Sequence, residues 1–231
     1  MSRISHAKAH LQSALAAQAG SQQAQIDTAT ANEYELMLMK LAEDKRRLKE
    51  LQSIERRAEV KATLLPDYMP WIEGTLSSES GRQDDVLMTV FVWAIDIGEF
   101  KLAVRIANYA IQHGMTMPDQ YKRDVPCVLA EDIAEAALKA TDEARIAMLV
   151  EIEQALAITA ERDMPDEVRA KLYKAYGYTL RAANEPAQAR AALARAFELH
   201  DKVGVKKDIE RLDTILKNLP DDQAAKAENG G

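Results

Sequence analysis

Apolar residues in this chain recur at helical spacing and show no sustained alternation. From Asn32 to about Leu65, Tyr34, Met37, Leu41, Leu48, Leu51, Ala58, Ala62 and Leu65 occupy the a and d positions of a heptad. Asn32 is placed to cap this helix, with Glu33 and Glu35 in its first turn. Asp44 and Glu55 interrupt the seam, which suits an antiparallel hairpin or a contact between copies better than an autonomous coiled coil. A narrow apolar stripe needs a facing surface, so Tyr34, Met37, Leu41, Leu48 and Leu51 are the expected oligomerisation residues.

Pro66 and Pro70 are expected to end that helix, since a residue before proline avoids the α region. Leu76 to Gln83 reads as a loop. Asp84 or Asp85 then caps a helix from Val86 to Ile97, Gly98 closes it, and Phe100 to His113 forms its partner before Gly114. The stretch from Pro66 to Asp119 holds both tryptophans and two of the three phenylalanines, which makes it the centre of the fold. Its hairpin has an echo at a constant offset of 86 residues. Gly98-Glu99-Phe100 with Ala103, Ala107 and Ala110 corresponds to Asn184-Glu185-Pro186 with Ala189, Leu193 and Ala196. With Gly177 and Leu180, the second copy is similar to a tetratricopeptide hairpin, in which small residues let two helices approach.

Further helices are expected at Val128 to Leu138 and Asp142 to Ala160, with Tyr121 to Pro126 a connector. Beyond Asp163-Met164-Pro165 come helices at about 166–183, 186–203 and 205–218. The expected organisation is a flexible segment with a short helix (1–32), a long basic amphipathic helix (33–65), a central helical domain (66–163), a C-terminal hairpin region (164–219) and a disordered tail (220–231). Ala, Leu, Glu, Lys, Arg and Gln, all good helix formers, dominate the 231 residues. The fold class is all-α: a long amphipathic helix followed by packed hairpins.

The single cysteine, Cys127, excludes an intramolecular disulfide and a cysteine zinc site, and fits a reducing cytoplasm. Residues 1–20 lack the apolar core of a signal peptide. No apolar run reaches the roughly 18 residues of a membrane span, so no membrane partner is expected.

The net charge of -7 is unevenly spread. Residues 1–62 carry a net +2, residues 63–164 a net -10 and residues 165–231 a net +1. The densest basic run lies in the long helix: Lys45, Arg46, Arg47, Lys49, Arg56 and Arg57, joined by Lys61. Read functionally, this is a helix that contacts DNA phosphates, with Arg3 and Lys8 near the N-terminus as further contacts. The alternative is a solvated helix face laced with i,i+4 pairs.

No catalytic residue is assigned. The acidic middle supplies Asp84, Asp85, Asp96, Glu99, Asp119, Asp124, Glu131 and Asp132, but no Asp-x-Asp pair or Walker motif accompanies them. Capping and solvation account for most of these acids. Asp96, beside Trp93, needs a partner, for which Lys101, Arg105 or a helix N-terminus is expected. His6 and His10 would share a helix face without a third ligand, so no metal site and no cofactor are expected. Cys127 reads as a small buried apolar residue.

One combination of motifs is specific. It comprises Tyr68-x-Pro70-Trp71-x-x-Gly74, Asp84-Asp85-Val86-Leu87, Trp93-x-Ile95-Asp96-x-Gly98, Ala103-x-x-Ile106-Ala107-x-Tyr109, His113-Gly114-x-x-Met117-Pro118-Asp119 and Cys127-x-x-Ala130-Glu131. Together they resemble the terminase small subunit of temperate, contractile-tailed phages with cohesive ends, a family labelled the terminase endonuclease subunit. The resemblance implies viral DNA packaging in the host cytoplasm. It implies binding of double-stranded phage DNA at the packaging (cos) site, a homo-oligomer or ring, and recruitment of a large subunit that carries ATPase and nuclease. The label assigns endonuclease activity, whereas the residues expose no nuclease site, so cleavage is expected of the holoenzyme. A metal-dependent endonuclease acting itself at cos, or a protein-only helical scaffold, are the alternatives.

Overall fold

The computed structural model describes residues 24–78, 80–118 and 122–218. Every helix and turn among them belongs to an all-α architecture without strands. The chain divides into two units, Met1–Gln52 and Ser53–Gly231.

The first unit contributes helix α1 (Ala24–Glu50). It begins eight residues before the expected cap, so Asn32 lies inside it. Extending a formed helix adds one hydrogen bond per residue fixed, whereas nucleating one is costly, so a short polar extension persists. Leu41 and Leu48 are buried and Leu36 and Met39 are exposed, which orients the stripe as expected. Asp44 stands in the same row and is buried too, held at 2.8 Å by the Lys40 ammonium. The interruption of the seam is thus an internal ion pair.

The expected single helix over 33–65 is broken at Leu51–Ser53. The Ser53 hydroxyl accepts the Arg56 amide at 3.2 Å, an N-cap that starts a new helix. That helix, α2 (Ile54–Ser78), then runs straight through Pro66 and Pro70. Each interior proline costs about 3 kcal/mol. Leu64, Tyr68 and Ile72 are buried on one face of α2, and full burial of a Leu or Ile side chain contributes about 1.5–3 kcal/mol. Tyr68 adds an edge-to-face contact with Trp93, centroids 5.5 Å apart. Packing of this size carries the helix across both prolines. It also resets the register: Ala62 is exposed and Leu65 only half-buried, in place of the expected seam.

The second unit continues with α3 (Asp85–Asp96), α4 (Phe100–Gln112), α5 (Val125–Lys139), α6 (Asp142–Ala147), α7 (Leu149–Thr159), α8 (Asp166–Ala182), α9 (Pro186–Leu199), a 3₁₀ turn (Asp201–Val203) and α10 (Lys206–Lys217). Helix α5 packs on both α4 and α8, linking the α3–α4 hairpin to the α8–α9 hairpin. Helix α10 lies on α9. The Asp84 carboxylate caps α3 and also accepts the Trp71 indole at 2.8 Å and the Thr75 hydroxyl at 3.3 Å, tying α2 to α3. Helix α5 starts at Val125, with Asp124 as its cap and Pro126 in the first turn where its missing N–H is harmless, rather than after Pro126. The expected helix over Asp142–Ala160 is two helices divided at Met148. Arg145 turns inward there, donating to the Ala137 and Ala140 carbonyls at 3.0 and 3.1 Å and so satisfying the end of α5.

The 86-residue echo extends to the backbone of both turns. Gly98 and Asn184 take left-handed φ values of 80° and 62°. Glu99 N–H bonds Ala94 C=O at 2.8 Å, and Glu185 N–H bonds Leu180 C=O at 2.9 Å. Such a turn favours Gly and tolerates Asn, which explains the pair of residue types. In the second hairpin a Cβ on Gly177 would stand 2.5 Å from Leu193 Cδ2 and 3.2 Å from the Ala189 carbonyl, so α8 and α9 approach through a residue without a side chain. The short helix expected over residues 1–20 and the tail 220–231 lie outside the described residues.

Candidate nucleic-acid interface

The last two turns of α1 carry Lys45, Arg46, Arg47 and Lys49. Helix formers such as Leu48 between them keep the segment helical, and cations near a helix C-terminus complement its dipole. Arg46 reaches Glu43 only at 3.6 Å, with both side chains three-quarters exposed. A surface pair of that kind contributes at most about 1 kcal/mol and leaves the guanidinium accessible. Arg47 and Lys49 are exposed and Lys45 is half-buried. Arg56 and Arg57 do not continue this face on one helix, as the sequence suggested. They belong to the first turn of α2, in the other unit, and Arg56 is held by Glu59 at 2.5 Å. Lys61 is committed to an ion pair with Asp96. The helical break at Ser53 therefore separates the basic run into a four-residue group on α1 and a pair on α2. Arg3, Lys8, His6 and His10 lie outside the described residues. Of the expected oligomerisation residues, Leu41 and Leu48 are buried, Tyr34 and Met37 half-buried, and Leu51 lies past the end of α1.

The acids of the middle segment have structural work. Asp84 and Asp124 cap α3 and α5. Asp96 pairs with Lys61, not with Lys101 or Arg105, because Arg105 is bound in a two-pronged pair to Glu73 at 2.9 and 2.8 Å. That hydrogen-bonded pair holds the Glu73 carboxyl below its usual range. Glu131 pairs with Arg123. Lys139 and Lys171 hold Glu135 down to about 2. Burial raises Asp132 and the Cys127 thiol, which keeps the thiol protonated and unreactive. Among the described residues, no group of three or more His, Cys, Asp or Glu side chains converges as a metal site. Asp119 lies outside the described residues.

Sequence counting missed a second gathering of cations. Asp208 at the start of α10 binds Arg181 of α8 at 3.1 Å and Arg211 at 3.4 Å, and accepts the Tyr178 hydroxyl at 2.9 Å. A net +1 over residues 165–231 concealed it, since the cations are scattered in sequence and converge only when α8 and α10 pack around α9.

Among the described residues, then, the chain is all-α, with a basic helix end and with acids of its middle segment committed to caps and ion pairs. The family model for the phage small terminase subunit matches residues 38–167. The chain belongs to that family, as the motifs between Tyr68 and Glu131 suggested, and has a part in phage DNA packaging. It is 45% identical over 193 residues to the "Terminase, endonuclease subunit" of Escherichia phage P2, covering 84% of this chain and 78% of that protein. It is 25% identical over 194 residues to the "Probable terminase, endonuclease subunit" of Haemophilus phage HP1 (strain HP1c1), covering 78% and 69%. No solved structure matches. No helix among the described residues is long and apolar enough to cross a membrane.

Proposed function

We propose that this chain is the DNA-recognising subunit of a phage terminase. In this reading it binds double-stranded DNA at the cos site in the host cytoplasm, assembles with copies of itself, and delivers DNA to a large subunit that hydrolyses ATP and cuts. The observation that carries the reading is the basic group on α1 in a member of this family: Arg46, Arg47 and Lys49 exposed, with Lys45 half-buried beside them. Each phosphate such a group neutralises releases counterions and adds about -0.9 to the slope of log K against log salt. Repetition of the group around an oligomer multiplies weak contacts into avidity. The half-buried Tyr34 and Met37 and the exposed Leu36 and Met39 support α1 as the helix through which copies meet, whereas Leu41 and Leu48 are already covered within one chain.

Arg46→Glu with Arg47→Glu is expected to weaken binding to every duplex at least about tenfold and to flatten the salt slope by roughly 2. Fluorescence anisotropy over a salt series measures both, and light scattering is expected to give an unchanged oligomer. Unaltered affinity would leave these arginines as a solvated helix face. The name of the phage P2 relative favours a second reading, in which the chain cuts DNA itself with a divalent metal. The engagement of Asp84, Asp96, Asp124 and Glu131 as caps and pair partners supports the first reading over the second.

A further inference from the structure

We propose that the C-terminal hairpin carries a second surface for the phosphate backbone of duplex DNA, formed by Lys174, Arg181, Lys202, Lys206, Lys207 and Arg211. The inference rests on the reading of the chain as a DNA-binding subunit and adds a site that reading does not contain. Residues 174, 178 and 181 recur at i, i+4 and i+7, and so share one face of α8. The Arg181 guanidinium sits 4.7 Å from the Tyr178 ring centroid and the Lys174 ammonium 5.7 Å from it. Lys174 also donates to the Val203 carbonyl at 2.8 Å, fixing the turn that bears Lys202.

One carboxylate, Asp208, is shared by Arg181 and Arg211 and by the Tyr178 hydroxyl. Its side chain is only 15% exposed, against 42% for Arg181 and 73% for Arg211. The acid is thus tucked beneath the arginines, and the outer surface is cationic. Besides Asp208, the acids between Lys174 and Arg211 are Glu185, Glu198, Asp201 and Glu210, against eight Lys and Arg residues. Lys206 and Lys207 are exposed in the first turn of α10, where the helix dipole is already positive and Val205 provides no side-chain cap. Asp208 in the same turn complements the dipole, and the two lysines leave that turn net cationic. Positive groups spread over α8, the 3₁₀ turn and α10 suit a polyanion better than one small ion.

The test uses the full chain and compares Lys206→Glu with Lys207→Glu against Arg46→Glu with Arg47→Glu. A mixed-sequence duplex and polyglutamate are the probes, read by anisotropy over a salt series, with thermal melts to confirm the fold. The expected result is duplex binding about tenfold weaker in the lysine variant, with a salt slope shallower by roughly 2. Loss in the lysine variant alone supports this surface and overturns the α1 site. Loss in the α1 variant alone, with the lysine variant unchanged, overturns this surface and keeps the α1 site. Loss of polyglutamate but not duplex binding in the lysine variant overturns it in favour of an acidic protein partner. A wild-type chain that binds no duplex overturns both.

Discussion

Replacing Gly177 by valine is expected to destabilise the folded chain by about 2–3 kcal/mol. The first carbon of any side chain there meets Leu193 at 2.5 Å (Cδ2) and 2.7 Å (Cγ), and the Ala189 carbonyl at 3.2 Å. Leu193 is fully buried among Leu180, Ala189, Val205 and Leu212, so it has no free volume to swing into. Val gains only a few tenths of a kcal/mol over Gly in helix propensity, too little to offset the clash. Relief would have to come from separating α8 and α9, which would open the cluster that also seats α10. Urea denaturation reads the effect. Leu193→Ala alone leaves a cavity and costs about 2–5 kcal/mol. Combined with Gly177→Val it is expected to cost well under the sum, because the new methyl groups fill the space. Additive losses would mean the two residues do not face each other.

Asp84→Ala is expected to cost about 3 kcal/mol, for two separate reasons. It removes the cap of α3, whose Oδ1 accepts the Val86 and Leu87 amides at 2.9 Å each; losing a cap costs about 1 kcal/mol. It also takes away Oδ2, the acceptor of the half-buried Trp71 indole, whereas the Thr75 hydroxyl keeps the Trp71 carbonyl at 3.0 Å; losing the partner of such a donor costs about 1–3 kcal/mol. Asp84→Asn keeps an acceptor and is expected to be milder. Its pH dependence has a definite sign. Burial is the main influence on Asp84 and raises its pKa, and the bonds from Leu87, Trp71, Val86 and Thr75 oppose it without cancelling it. A raised folded-state pKa means the folded chain holds the proton more tightly. That stabilising contribution is complete below the unfolded-state pKa and is lost as pH rises through the folded-state pKa. The stability gap between wild type and Asp84→Asn is therefore expected to be wider in mild acid than at neutral pH, measured by denaturation at each pH.

The α3–α4 and α8–α9 hairpins were legible because their signals are local. Asp84, Gly98, Gly114 and Asn184 each act within a few residues, and the 86-residue offset carries through to matching turn hydrogen bonds. The course of α2 was not legible. Pro66 and Pro70 argue locally for a helix end, and only the tertiary burial of Leu64, Tyr68 and Ile72 overrides them. The break at Ser53 was hidden for the opposite reason: a heptad continued across it, while one hydroxyl settled the start of a new helix. The partner of Asp96 was misread because Lys61 is 35 residues away and Arg105 was already engaged by Glu73. Charge counting found the compact basic run on α1 and missed the one around Asp208, whose members are spread from Lys174 to Arg211.

In the proposed function this chain binds packaging-site DNA and leaves cleavage to a large subunit. The most direct measurement incubates the purified chain with a cos-containing duplex, with and without Mg²⁺, and with and without the large subunit. Binding by the chain alone is expected, with no strand cleavage until the large subunit is added. Mg²⁺-dependent cleavage by the isolated chain would contradict that reading.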